Sequence, residues 1–460
     1  MGTTRFGSIA RHFCVALAAA WCAAAVAQAQ KPAPGSRDDL FGTTPPAAGA
    51  PAAEKPVSLS GFYDFLGAYT YSDPSHWSNA VNRFQLSAQG KVGENLKWKI
   101  GGRIDGDIVY GTSDFYLSDV RDDQKWNAFW RETYVDFSAA SWDFRLGAQN
   151  IVWGEVVGFF VADVVSAKDL REFLLPSFDV IRAPQWAARA EYFKGDSHLE
   201  LVWIPFQTFD NVGKPGSDFY PVRLPSPTPG SVAAGFLDPE KPSQNLGNSA
   251  YGVRANTLVG GWDLAAFYYR SYSNSPTFYR LPSVNPALPF VVQPRYDRIW
   301  QVGGTVSKDF GEVVGRAEVV YTDGRNFAST DLNAPEGVLG KDSVDWVVGA
   351  DFVLPRDAKL NLQAFQRIYS GGDDTLAVQY GSFGVSAMIS GKITPTVEPQ
   401  LLWIQTFSGG GGLIRPRVNW TPVRNTTVGV GLDIFTGSDD GVFGRYNNRD
   451  RIYTEVRYDF

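Results

Sequence analysis

Ser75 and His76 stand side by side in the run SDPSHW, and His198 begins an alternating segment much further along. A nucleophile and its base must face each other across space, so neighbours in sequence do not form a catalytic pair. On the strand map derived below, the two histidines fall at opposite ends of the molecule and cannot share a site. Gly409 to Gly412 form a run of four glycines with no helix after it, so they read as a flexible loop tip and not as a phosphate cradle. No histidine, cysteine and carboxylate spacing suits a metal. The expectation is a protein that is not an enzyme and has no cofactor and no metal.

The charged residues carry more information, because they recur at every second position of apolar segments. From Asn95 to Tyr110, Leu96, Trp98, Ile100, Ile104 and Ile108 alternate with Lys97, Lys99, Arg103, Asp105 and Asp107. Other segments place Arg145, Arg189, Arg316, Lys359, Arg367, Arg451 and Arg457 on one face, with Asp143, Glu191, Glu200, Asp263, Glu312, Glu318, Glu455 and Asp459 on the same face. The two signs are equal in number. A channel selective for polyanions would be expected to show a ladder of one sign. Balance suggests a wall of paired charges, each pair worth about 0–1 kcal/mol where water reaches it. Arg103, Asp105, Asp107, Arg145, Arg189, Glu191, Arg316, Glu318 and Arg367 are the candidates for such a wall.

Alternation from Asn95 to Tyr110 is long against the roughly five or six residues of an ordinary strand. The same pattern closes the chain, where Ile452, Thr454, Val456, Tyr458 and Phe460 alternate with polar neighbours. Eighteen such segments can be drawn between residues 57 and 460, with sixteen as the alternative count. Short turns such as Lys194-Gly195-Asp196 and Phe310-Gly311 alternate with long polar loops at 111–125, 151–183, 207–248, 272–294, 323–342, 370–378 and 438–446. Short turns on one side, long loops on the other and an even strand number are the marks of an outer-membrane barrel. No later segment has the roughly 18 consecutive apolar residues of a transmembrane helix. The 14 Trp, 20 Tyr and 31 Phe suit aromatic girdles at two interfaces. The expected fold is all-β, a transmembrane antiparallel barrel of about eighteen strands. Tyr458 and the terminal Phe460 resemble the signal by which such barrels are recognised for assembly, which makes the assembly machinery and outer-membrane lipids expected partners.

Targeting agrees with that location. Arg5 and Arg11 precede an apolar stretch from Phe13 to Ala27, and Ala27-Gln28-Ala29 is an A-x-A cleavage site, so 1–29 reads as a signal peptide. Cys14 and Cys22 lie inside it, and Phe13 and Trp21 before them are too large for a lipoprotein signal. The mature chain then has no cysteine, hence no disulfide framework. Loss of Arg5 and Arg11 takes the formal charge from −6 to −8, which argues against nucleic acid. Residues 30–56, rich in Pro and Ala, read as a periplasmic linker before a barrel at 57–460. The Pro-rich 207–248 loop reads as extracellular.

One loop breaks the polar rule. Within 151–183, Val157, Phe160, Val161, Val164 and Val165 recur at helical spacing, and Leu170, Phe173 and Leu174 extend the stripe up to Pro176. The spacing predicts an amphipathic helix. Packed on the sheet of a soluble α+β protein, it would be ordinary. As the third long loop of a barrel, it is expected to fold inward and plug the pore. Trp153, Glu155, Phe160, Asp163, Lys168, Asp169, Arg171 and Glu172 are its candidate functional residues. The apolar stripe needs an apolar patch of inner wall, for which Phe267, Tyr269, Phe365, Leu402 and Ile404 lie on suitable faces.

The block from Leu146 to Tyr192 resembles a large Gram-negative outer-membrane family catalogued as a domain of unknown function. Gly147-Ala148-Gln149, Trp153-Gly154, Asp163-Val164-Val165, Asp169-Leu170-Arg171-Glu172-Phe173 and Pro184-Gln185-Trp186 carry the resemblance. It implies an uncharacterised barrel, often found beside pathways for steroids and other hydrophobic compounds. The expected function is an outer-membrane channel for passive uptake of a small hydrophobic or amphipathic molecule, gated by the third loop. A polysaccharide export conduit and a surface receptor or scaffold barrel are the alternatives.

Overall fold

The structure, a computed structural model, describes residues 57–156, 158, 161–222, 235–285, 290–371, 375–377, 382–407, 410–439 and 441–460. The proposed signal peptide and linker lie outside these residues.

Eighteen antiparallel strands close into a barrel. In chain order they are β1 Val57–Thr70, β2 His76–Val92, β3 Leu96–Asp107, β4 in two segments Trp126–Trp130 and Thr133–Ala139, β5 Trp142–Gln149 and β6 Gln185–Lys194. Then come β7 Ser197–Phe206, β8 Ala250–Val259, β9 Trp262–Tyr272, β10 Arg298–Asp309, β11 Val313–Asp323 and β12 Ser343–Leu354. The last six are β13 Ala358–Tyr369, β14 Ser382–Ser390, β15 Val397–Thr406, β16 Gly411–Trp420, β17 Thr426–Thr436 and β18 Arg451–Asp459. β1 pairs with β18 from Phe62↔Asp459 to Thr70↔Arg451, which removes the free sheet edges at the chain ends. Among the described residues no helix is long and apolar enough to cross a membrane.

Period-two alternation sorts the two faces as expected. Phe84, Ile100, Ile104, Leu201, Val302, Val319, Val348 and Leu401 are exposed on the outside, a surface suited to lipid. Arg103, Asp105, Asp107 and Glu318 point inward and are buried. The short turns use residues that tolerate a left-handed backbone, for instance Gly195 at φ 57° between β6 and β7. At the seam, Gly61 and Phe460 exchange two backbone hydrogen bonds of 2.8 and 2.9 Å, and the Phe460 ring lies 6.0 Å from Phe84 and 6.2 Å from Tyr458.

The third long loop does enter the barrel, but not as the expected helix. Its described residues hold one helical turn, Phe178–Ile181, which begins after Pro176, and a two-residue bridge of Ala167–Lys168 with Arg182–Ala183. The rest is irregular. The reason is competition for the backbone. Val156, Val161, Val164 and Val165 are β-branched, Gly154 and Gly158 interrupt them, and wall side chains take the hydrogen bonds that a helix would have made internally. Phe160 and Val157, two members of the predicted stripe, lie outside the described residues.

Candidate functional site

The described residues of 150–183 enter the lumen and hold the wall at two places. The first anchor is apolar. Ile151, Trp153, Ala162, Val164 and Val165 form one buried cluster with Val202 and Ile204 of β7, Ala250 of β8, Phe267 and Tyr269 of β9 and Val320 of β11. Trp153 is 1% exposed, and its ring centroid is 5.2 Å from Phe267 and 5.7 Å from Tyr269. It rests on Gly252, where a Cβ would come within 2.7 Å of the indole, so only glycine leaves room. Inside this cluster the loop backbone is served by polar wall groups. The Glu318 carboxylate of β11 accepts N–H bonds from Glu155, from Val156 at 2.6 Å and from Ala162 at 2.8 Å. Asn274 donates to the carbonyls of Val164 and Ser166 at 3.0 and 3.2 Å. Gln185 donates to that of Val165 at 3.1 Å. Glu155 itself reaches Arg254 of β8 at 3.4 Å.

The second anchor is ionic. Glu172 meets Arg83 of β2 at 2.5 Å and Arg451 of β18 at 3.6 Å. Asp179 meets Arg457 of β18 at 2.8 Å. Arg83 and Arg451 are also held by wall carboxylates, Asp64 at 3.0 Å and Asp433 at 2.8 Å. Two further guanidinium groups take loop carbonyls. Arg103 donates to Val180 at 2.8 Å, and Arg131 to Arg182 and Asp179 at 2.6 and 2.5 Å. A small second cluster adds Phe173 and Leu175 to Phe435, Phe443 and Tyr446.

The other candidates divide between these anchors and the loop itself. Asp163 pairs with Arg182 at 3.4 Å, and Asp169 with Arg171 at 2.7 Å, both within the loop. Lys168 donates its backbone N–H to Asp210 at 2.8 Å and its Nζ to Ser166 at 3.2 Å. On the wall, Arg103 pairs with Asp105 at 2.9 Å, Arg145 with Asp136 at 2.6 Å, Arg189 with Glu191 at 2.8 Å and Arg367 with Asp345 at 2.6 Å; Arg316 pairs with Asp351. Asp107 instead caps a helical turn through Val109 N–H at 2.9 Å and takes Ala80 N–H at 3.0 Å. Sequence reasoning missed Arg83, Asp64, Arg131 and Arg254, which hold the loop or its partners. Arg83 shares the inner face of β2 with Gln85 and Ser87, so the same alternation was there to mark it, whereas Asp64 lies among Phe62, Leu66 and Ala68 of β1 and carries no such mark.

The carboxylates of the loops are tuned by their partners. Burial pushes the Asp169 carboxyl up, but the Arg171 guanidinium, with Arg103 behind it, wins and holds it below the usual range. Burial of Asp179 is likewise outweighed by Arg457 and the Ser177 hydroxyl. In the long loop after β7, Asp218 lies 3.1 Å from His76 Nε2, 3.0 Å from Arg449 and 2.7 Å from the Tyr116 hydroxyl. There too burial raises the carboxyl, while the His76 hydrogen bond and Arg449 lower it further than burial lifts it. His76 is the first residue of β2, not a loop residue, and it ties three outer loops together through this one carboxylate. His198 is 3.1 Å from Glu191 and is not in this cluster. Among the described residues no group of His, Cys, Asp and Glu suits a metal ion.

Three solved barrels share the architecture. Acinetobacter baumannii OccAB1 matches with TM-score 0.54 at 9% identity, over 88% of this chain and 96% of that one. Acinetobacter baumannii OccAB3 matches with TM-score 0.51 at 6% identity, over 88% and 99%. Pseudomonas aeruginosa OccK2 (OpdF), solved in complex with glucuronate, matches with TM-score 0.50 at 12% identity, over 88% and 98%. At such identities the likeness is one of fold. No curated protein matches the chain. The sequence profile of one family covers residues 56–460, the whole barrel, and the chain therefore belongs to the family described as "Protein of unknown function (DUF1302)".

Proposed function

We propose that this protein is an outer-membrane channel for passive uptake of a small hydrophobic or amphipathic molecule, with residues 151–183 as its gate. The observation that carries the reading is the double attachment of that loop inside the lumen. A surface loop kept only for its length would have no cause to bury Trp153, Val164 and Val165 against Phe267 and Tyr269. Each large apolar side chain buried there contributes about 1.5–3 kcal/mol, enough in sum to hold the loop without a covalent tether. The apolar anchor is also what favours an apolar or amphipathic solute, since it leaves part of the inner wall greasy. Paired wall charges speak against a polysaccharide export conduit, which would want a groove of one sign.

Residues 1–29 would be removed on export, 30–56 would remain as a periplasmic linker, and the Tyr458–Phe460 end would engage the assembly machinery. The gate is tested by deleting residues 156–175 and bridging the gap with a short Gly/Ser linker. No barrel strand is touched, so heat-modifiable folded protein should form, with higher single-channel conductance and passage of larger solutes. A folded deletion variant with unchanged conductance would end the gate reading and favour a scaffold barrel, whose lumen is filled for good.

A further inference from the structure

The barrel wall is not continuous. β4 is split at Arg131 and Glu132 into Trp126–Trp130 and Thr133–Ala139. The lower segment pairs with β5 from Thr133↔Ala148 to Ala139↔Trp142. The upper segment pairs with β3 alone, from Gly102↔Trp130 to Gly106↔Trp126. Nothing pairs with its other edge among the described residues, because β5 has only 8 residues and ends at Gln149, where the chain turns into the lumen. A spanning strand needs roughly 9–11 residues. β6 starts level with that end, at Gln185↔Gln149. β7 rises no higher than β6, since its last residue pairs as Phe206↔Trp186. The upper wall therefore has a notch beside the upper part of β4, over the ends of β5 and β6.

Lipid cannot satisfy the N–H and C=O groups of an open edge, so spanning barrels normally have none. This notch is instead rimmed by apolar side chains on the outside. Trp126 and Trp130 are 69% and 65% exposed, and Val152 and Trp186 are exposed as well. On the inside it is closed by the turn Phe178–Ile181 and the residues after it. Wall arginines hold that turn and the residue after it: Arg131 donates to the carbonyls of Asp179 and Arg182, Arg103 donates to that of Val180, and Arg457 pairs with the Asp179 carboxylate. Directly behind it lies a cavity of about 30 Å³ lined by Arg103, Asp105, Asn127, Asp169, Arg171 and Val180, among others. That is room for one or two waters, not for a solute.

From this we infer that the notch is a side door: an amphipath dissolved in the outer leaflet enters the lumen beside the upper part of β4, over the ends of β5 and β6, hydrocarbon body along Trp126 and Trp130, polar head toward Arg103 and Asn127. The inference rests on the channel reading above and names the route and the solute class. The door is shut here, and movement of residues 178–183 opens it. The apolar rim outside and the charged chamber inside give the path the same polarity gradient as the solute.

The test uses full-length protein in liposomes with entrapped cyclodextrin. The probe is a pyrene-labelled alkyl sulfonate, whose permanent charge keeps it from crossing a bare bilayer. Ala128→Trp fills the rim with an apolar side chain and should cut probe uptake at least fivefold. Val348→Trp, on the lipid face of β12, should leave it unchanged. Uptake by Ala128→Trp equal to wild type overturns the door. Wild-type uptake no faster than that of protein-free liposomes overturns the channel reading itself, and the door with it. Should Ala128→Trp not fold, Val152→Cys carrying a bimane label decides the matter. Quenching by brominated phospholipid supports an opening onto lipid, and quenching by aqueous iodide alone overturns it.

Discussion

The two ends of the inward loop are held by opposite kinds of physics. Residues 151–167 are fixed by shape, an indole on a glycine and valines against aromatic wall residues, with Glu318 collecting their N–H groups. Residues 172–182 are fixed mainly by charge, with Glu172 and Asp179 set among Arg83, Arg451 and Arg457 and only Phe173 and Leu175 adding an apolar contact. Apolar burial is insensitive to pH and is not screened by salt. Ion pairs respond to both. On the proposed gate reading, 151–167 would be the hinge side and 172–182 the releasable side, which carries the turn Phe178–Ile181 behind the wall notch.

The largest effect that can break this comparison comes from the fixed side. Trp153→Ala should destabilise the docked loop by about 3–5 kcal/mol, the cost of emptying an aromatic pocket. Conductance should become noisy at every pH and salt concentration, and hydrogen exchange of residues 151–167 should rise. If exchange rises only in 172–182, the apolar anchor is not the hinge. Glu172→Gln, on the other side, should cost less, about 1–3 kcal/mol, because Arg83 and Arg451 keep Asp64 and Asp433 as partners. Its loop should open more often than wild type at low salt, and the difference should shrink as salt is added. A Glu172→Gln variant as disturbed as Trp153→Ala would show that the two sides are not distinct.

Much of this was legible in the sequence, and the part that was not follows a physical rule. Alternation is local, so Ile104 outward and Arg103 inward could be read from neighbours alone. Phe267, Tyr269, Phe365, Leu402 and Ile404 could be placed on the inner face for the same reason, and these residues belong to the two apolar clusters that receive the loop. The loop's conformation is not local. Its apolar spacing suits a helix, but Glu318 and Gln185 lie on other strands and Asn274 in another loop, and only the closed barrel brings them to its backbone. The notch was equally hidden. Residues 126–139 and 142–150 read as ordinary neighbouring strands, and nothing in either states that one outruns the other. Arg131 is the mark, an arginine directly after the Trp-rich segment from Trp126 to Trp130.

The mildest prediction needs no mutation. Asp169, Asp179 and Asp218 are all held below the usual carboxylate range by cationic partners. A carboxyl depressed in the folded state stabilises that state above its unfolded value of about 4, and the contribution is lost as pH falls through the folded value. Lowering pH from 7 toward 3 should therefore leave the apolar contacts of Trp153, Val164 and Val165 in place, even where the Glu318 carboxylate gains a proton, while weakening the hold on 172–182 and the His76–Asp218 tie between the outer loops. The expected result is a graded rise in open time below about pH 4, reversible on return to neutral pH, with the barrel itself still heat-modifiable. Glu172→Gln should shift the onset to a higher pH by weakening the same side in advance, and Trp153→Ala should flatten the dependence because its loop is already loose. A wild-type channel whose gating is the same at pH 3 and pH 7 would mean that the arginine contacts hold position without holding the gate, and the apolar side would then carry the closure alone.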